Sequence, residues 1–441
     1  MSYFNKDLFS EAQPGALNVF TLPPTQTAVE KIYYQEIRPI SQLSNSTSPI
    51  EFNITGQNGM EYLDLKNSQM YLKVKIKKGN GGSLGSTEYV GPINLLLHAL
   101  FQQVDVSIQG KVITSSTGHY PYRSMFQTML KYGNGAKSTQ LSAMMWEKDV
   151  PGSLDDNDVN SGQNTGLFER AKYFAESNLV DMQGPIMHDL FQMDRYLLNQ
   201  TALTMKFYRS KPEFYLMTNE LGPDYMVEIE DMILKICKIQ VSPAIIYSHA
   251  QILESQNACY PFVRTEVKML SIPAGQINVT WDQIFQNVRP NRILVGLVKS
   301  QSVAGSYQSS PWNFQNFGIT QITLSVDGIP VSGNSMKLVF SPSGGQISLP
   351  VFTALYEVTG RWTQDKDLGI KRNDIAEGNC IFAFELEPTF QDGGYMTLTR
   401  QGNVRLDLSF SAALQEAVTV VIYSEHPGYF ELTKTRDVVT T

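Results

Sequence analysis

Cysteine is scarce in this chain of 441 residues: Cys237, Cys259 and Cys380 are the only three, odd in number and widely spaced. That excludes a disulfide framework and a thiolate metal site, and points to folding in a reducing compartment. Charge is scarce too, at 17% of residues against roughly 25% in an average domain. The net charge of -7 excludes a protein whose task is wrapping nucleic acid on a basic face, so no specific nucleic-acid partner is expected. No stretch approaches the ~20 apolar residues of a membrane span, so no membrane insertion is expected. Residues 1 to 20 contain Lys6, Asp7 and Glu11 without an apolar segment, so no secretory signal is readable. Without secretion, the Asn-x-Ser/Thr matches at Asn45, Asn53, Asn199 and Asn278 are chance matches to a short pattern.

Motifs that carry chemistry are missing as well. His98, His119, His188, His249 and His426 show no H-x-H or H-E-x-x-H spacing, and His98, inside an apolar run, reads as a packed side chain rather than a ligand. There is no phosphate loop, no G-x-S-x-G elbow and no dinucleotide fingerprint. Asp155, Asp156 and Asp158 resemble the start of a calcium loop but lack its sixth-position Gly and twelfth-position Glu. Glu228/Glu230 and Glu385/Glu387 alternate with apolar neighbours and read as solvent faces of strands. No catalytic, cofactor-binding or metal-ligating residue is therefore assigned, and no cofactor is expected.

What is present is hydrophobic alternation. Hydrophobic residues make up 42% and aromatics 11%, enough for large cores, and the length favours more than one. Leu72/Val74/Ile76, Val104/Val106/Ile108, Leu203/Met205/Phe207, Ile322/Leu324/Val326, Phe382/Phe384/Leu386 and Val404/Leu406/Leu408/Phe410 each predict a strand with one dry and one wet face. Lys73, Lys75, Lys77 and Lys78 fall on the wet face of the first. Two helices are predicted. One runs from Pro121 to about Tyr132 with Tyr122, Met125, Phe126, Met129 and Leu130 on one face; the other runs from Pro350 to about Thr359 with Phe352, Leu355, Tyr356 and Thr359 on a face. Each follows a strand ending in a tight turn, Gln109-Gly110 or Asp327-Gly328. The order strand, turn, return strand, helix thus recurs after about 218 residues, close to half the chain.

Each half also opens and closes with strand-like segments, giving about eight strands apiece, the jelly-roll number. The predicted fold is all-β: two tandem eight-stranded antiparallel jelly-roll sandwiches, a double jelly roll, with short inserted helices. The expected division is a flexible N-terminal arm over residues 1–25, a first jelly roll over 26–245 and a second over 246–441. The arm is expected to order on contact with neighbours or a shell interior. Residues 79 to 86 (GNGGSLGS) read as flexible; residues 154 to 166 read as a long exposed loop, for display, subunit contact or passive linkage.

The stretches LPPTQTAVE (22 to 30), SPIEF (48 to 52), VDVSIQGKVI (104 to 113), YPYRSMFQTMLKYG (120 to 133) and PIMHDLFQMDRYLLNQTALTMKFYRSKPEFYLM (185 to 217) resemble the major capsid proteins of Polinton/Maverick elements and their adintovirus-like relatives, of the adenovirus-hexon lineage. The resemblance is densest from residue 22 to about 240. It implies a structural protein and not an enzyme: a homotrimer forming a pseudo-hexagonal capsomer that tiles an icosahedral shell. The implied partners are neighbouring capsomers, penton and minor capsid proteins. The implied place is the virion capsid, made in the host cytoplasm and assembled in host nucleus or cytoplasm, not secreted. The alternative is a two-domain carbohydrate-binding β-sandwich module with Trp146, Trp281, Trp312 and Trp362 as candidate platforms; a metal-dependent jelly-roll enzyme is a third reading, from a different class.

Overall fold

The computed structural model describes residues 12–44, 48–56, 59–113, 118–340, 346–388 and 395–440. The first eleven residues of the expected arm and the sequon at Asn45 lie outside the described residues. Alternating apolar residues build eight principal strands in the first half: β1 (Val29–Ile37), β2 (Ile50–Ile54), β3 (Glu61–Lys78), β4 (Phe101–Ile108), β5 (Lys111–Val112), β6 (Val180–Pro185), β7 (Leu203–Arg209) and β8 (Tyr225–Val241). Eight more follow: β9 (Ala258–Ile272), β10 (Asn278–Trp281), β11 (Arg292–Lys299), β12 (Ile319–Val326), β13 (Ile329–Pro330), β14 (Ile381–Glu385), β15 (Val404–Phe410) and β16 (Val418–Leu432).

Their pairing repeats. The first half makes the sheets β1-β8-β3-β6 and β2-β7-β4-β5; the second makes β9-β16-β11-β14 and β10-β15-β12-β13. Adding eight to each label of the first half gives the second, and all these ladders are antiparallel. Each second-half sheet carries one short extra strand, Val438–Thr440 or Met336–Lys337. Two sheets with this four-strand crossing order are a jelly roll, so the fold is a double jelly roll. The turns repeat as well. Gln109 and Gly110 both have positive φ, at 51° and 76°, and so do Asp327 and Gly328, at 51° and 82°. That is the type I′ hairpin geometry, which a glycine adopts without strain.

Helix α1 (Tyr120–Lys131) lies between β5 and β6, as predicted, with Pro121 in its first turn. Helix α4 (Leu349–Val358) occupies the equivalent place between β13 and β14. Two further helices of nine and ten residues, α2 (Thr165–Tyr173) and α3 (Pro243–Ile252), were not predicted. Equivalent places do not mean equivalent packing. Helix α1 lies against β4 and reaches β9 of the second roll, whereas α4 packs on β14 of its own roll. Every residue of α1 from Tyr120 to Leu130 is buried, the predicted apolar face and also Arg123, Ser124, Gln127 and Thr128. On α4 only Val351 and Leu355 are buried, so Phe352, Tyr356 and Thr359 of the predicted face are half-exposed.

The alternation holds in most strands. Leu72, Val74 and Ile76 are fully buried, and Lys75 and Lys77 face out. The wet face is paired: Lys75 contacts Glu228 and Glu230, and Lys77 contacts Glu228 at 2.7 Å. β14 departs from expectation, since Ile381 to Phe384 are all buried, because α4 covers what alternation reads as the wet face. Glu387 is a second correction: it is 3% exposed and pairs with Arg289 at 2.9 Å and Arg400 at 3.6 Å. Residues 154 to 166 are a third. They are not an exposed excursion, because Leu154, Val159 and Asn164 are buried and Asp155 accepts from the Ser310 amide of the other roll. In residues 79 to 86, Leu84 is buried and its amide donates to Ser177. Instead of separate cores, one contiguous apolar cluster runs through both rolls.

Candidate functional site: the seam between the rolls

The side chains that join the two rolls converge on α1. Its apolar face points Phe126 into the second roll, where its ring centroid lies 5.2 Å from Phe314 and 5.6 Å from Tyr423. Phe314 can approach because β11 carries Gly296 there: a Cβ on Gly296 would meet the Phe314 ring at 2.5 Å. One turn earlier, Tyr122 stacks edge-on with Trp312 at 5.2 Å, and Trp312 Nε1 donates to the Asn94 carbonyl at 2.9 Å. The aromatic plug is therefore also a hydrogen-bonded one, as a buried indole requires.

Around it the polar groups cross between rolls. Arg123, 8% exposed, pairs with Asp189, 1% exposed, and Asp189 also accepts from the Thr265 amide of β9. Burial raises the Asp189 carboxyl above its ordinary range, with the Arg123 charge and the Thr265 bond acting against it. Gln127 donates to Thr265 Oγ1 and accepts from Gln192. At the far end, Arg361 donates to the Leu130 and Lys131 carbonyls, which closes the C-terminus of α1. Lys137 donates to the Leu368 and Met129 carbonyls and sits 5.5 Å from the Trp146 ring centroid. Its burial pushes the ammonium down to about 7. The chain's last described segment straps back: Arg436 donates to the Asn199 backbone and side chain. A helix end capped from the other roll, a buried carboxylate bonded across the seam to Thr265 and an aromatic plug make the rolls one body.

Among the described residues no group of three or more His, Cys, Asp or Glu side chains is placed to hold a metal ion. His98 is fully buried, hydrogen-bonded to the Tyr120 hydroxyl at 2.9 Å, and burial holds it down at about 3, so it is a neutral packed ring. His188 and His426 are also buried, and burial lowers both. Asp155, Asp156 and Asp158 are taken up by loop amides and by the second roll. Of the candidate carbohydrate platforms, Trp146 and Trp312 are core residues at 6% and 2% exposure, Trp281 is half-buried, and Trp362 alone is open. No helix of the described residues is long and apolar enough to cross a membrane.

The whole-chain architecture has counterparts among solved structures. A chain of the Sputnik virophage superposes over 98% of this chain and 93% of its own length, with a TM-score of 0.63 at 11% identity. The Faustovirus major capsid protein gives 0.55 at 12% identity, covering 96% of this chain and 95% of that one. The mavirus major capsid protein gives 0.52 at 13%, covering 99% and 96%. The fold is the one viral major capsid proteins use. No protein-family profile matches the chain. In sequence, the uncharacterized protein F54H12.2 of Caenorhabditis elegans is 23% identical over 426 residues, spanning 93% of this chain and 97% of the worm protein.

Sequence reasoning found α1 and its apolar face but missed the polar half of the seam. Asp189 stands in the apolar block PIMHDLF, and a carboxylate in such a setting is a readable sign of a buried partner. Which partner it meets was not readable, because Arg123 is 66 residues away.

Proposed function

We propose that this chain is a major capsid protein of the Polinton/Maverick type, a structural subunit and not an enzyme. Three copies form a pseudo-hexagonal capsomer, capsomers tile an icosahedral shell, and the protein's place is the virion. The single observation that carries the reading is the strand order repeated with an offset of eight in one chain. Two like sandwiches per chain, taken three times, present six like lateral faces, and threefold closure of such a unit tiles a hexagonal net. Likeness to viral capsid proteins over nearly the full length supports it. A worm relative of nearly the same extent supports an element carried in animal genomes. In this reading residues 1–25 are an arm, 26–245 the first roll and 246–441 the second, and neighbouring capsomers, penton and minor capsid proteins are the partners.

Light scattering after size exclusion tests it. Three chains of 49.5 kDa give about 149 kDa, and a particle of that mass is expected. A stable monomer at the concentrations of assembly would overturn the reading.

A further inference from the structure

Residues 12–27 precede β1 and every one of them is exposed. Yet the segment is apolar: Leu17, Val19, Phe20 and Leu22 are 63%, 72%, 96% and 92% exposed. Four large apolar side chains within six residues, in a chain that buries most of its others, mark an interaction site rather than ordinary surface.

A second open feature lies at the same end of the molecule. Helix α3 has an apolar sequence, PAIIYSHAQI, and not one buried residue. At its C-terminal end it borders an open pocket of about 460 Å³ walled by Tyr62, Tyr196, Leu198, Ile252, Leu253 and Tyr260. Its rim is set by bonds inside the chain: His249 Nδ1 with the Tyr62 hydroxyl at 2.8 Å, and Arg195 Nη1 to the Cys259 carbonyl at 2.6 Å. The exposed residues Gln256 and Asn257 border the same opening. The apolar segment leaves the fold beside this helix, since the Ser242 amide bonds to the Ala28 carbonyl and Val29 pairs with Val241.

We infer that the pocket at the end of α3 receives the Phe20–Leu22 stretch of a second copy of this chain. Donor segment and acceptor pocket sit at one end of the subunit, so a rotation axis that runs alongside the subunits keeps every segment level with the next pocket. Such a contact is heterologous, and under the threefold symmetry of the capsid reading it closes into a ring. The tether sets the reach: the nine residues from 20 to 28 span up to about 30 Å when extended. An aromatic or leucine anchor entering a tyrosine-lined pocket, with polar groups at its rim, is the usual build of an interface hot spot. The inference rests on the capsid reading and names one of its subunit contacts.

The chain supplies its own probe. Cys259 is exposed on the pocket wall, while Cys237 and Cys380 are buried. In the full chain, Thr21→Cys places a thiol between the two anchors and leaves both intact. Oxidation with copper-phenanthroline, read on a non-reducing gel beside wild type, is expected to give covalent multimers. They should vanish in Thr21→Cys/Cys259→Ser and fall about tenfold when Phe20→Asp and Leu22→Asp are added, a loss of ~1.4 kcal/mol of docking energy. Light scattering on the same samples separates the two ideas. An assembled particle without inter-chain disulfide, or with a disulfide only within a chain, overturns the inference and leaves the capsid reading standing. A monomer overturns both.

Discussion

Replacing Phe126 with alanine is expected to destabilise the protein by about 3–5 kcal/mol. The ring is fully buried, between Phe314 and Tyr423. Removing its apolar surface from the core loses about 2–3 kcal/mol of transfer energy. The space left is about 100 Å³, and at ~24 cal/mol per Å³ of residual cavity it adds about 2.4 kcal/mol. Met125 and Met129 line the same helix face and are flexible enough to fill part of the gap, which sets the total within that range. Urea unfolding followed by tryptophan fluorescence is the assay, because Trp312 lies in the same seam. The Phe314→Ala variant completes a double-mutant cycle, in which the two rings should couple by at least about 0.5 kcal/mol. A loss below about 1 kcal/mol for Phe126→Ala would refute the placement of α1 between the rolls.

Four further outcomes follow from the same geometry. Asp189→Ala leaves Arg123 buried without its partner and should cost about 3–5 kcal/mol by the same unfolding assay, clearly more than Asp189→Asn. Gly296→Ala forces a Cβ into the Phe314 ring and should cost about 1–3 kcal/mol; a neutral result would contradict the close approach. Lys137 binds a proton in the unfolded chain but not in the folded one between about 7 and its ordinary 10.5. Wild type should therefore gain stability over Lys137→Met as pH rises through that window and show no such gain below it. Glu228→Gln, on the exposed ladder with Lys75 and Lys77, should cost no more than ~1 kcal/mol and less at high salt, as denaturation at two ionic strengths would show.

The readable parts of the fold were those where one face of an element meets the core and the other meets water. β2 and β15 begin and end where alternation and turn residues place them, and both type I′ turns were announced by a glycine after a polar residue. The helix pair was readable from Pro121 and Pro350 and from apolar spacing. The polar face of α1 was not, because its partners Asp189, Gln192 and Thr265 come from more than sixty residues away. Glu387 was misread for the same reason, since Arg289 is distant in the chain. α3 was hidden differently: a helix with no fully buried residue, touching the fold through Ile246 and His249, has no apolar stripe to read, and its segment reads as a connection.

The plug of Tyr122 and Phe126 also has a consequence for synthesis. These residues belong to the half of the chain made first, and their partners Trp312, Phe314 and Tyr423 to the half made later. At about 5–20 residues per second, the ribosome needs roughly 10–40 s to deliver the second half. During that interval the part of α1 that meets the second roll is uncovered, although Phe214 of the first half already lies against Tyr122, and the nascent chain is a client for any factor that shields apolar surface. A cell depleted of such factors should therefore lose this protein before the ribosome has released it.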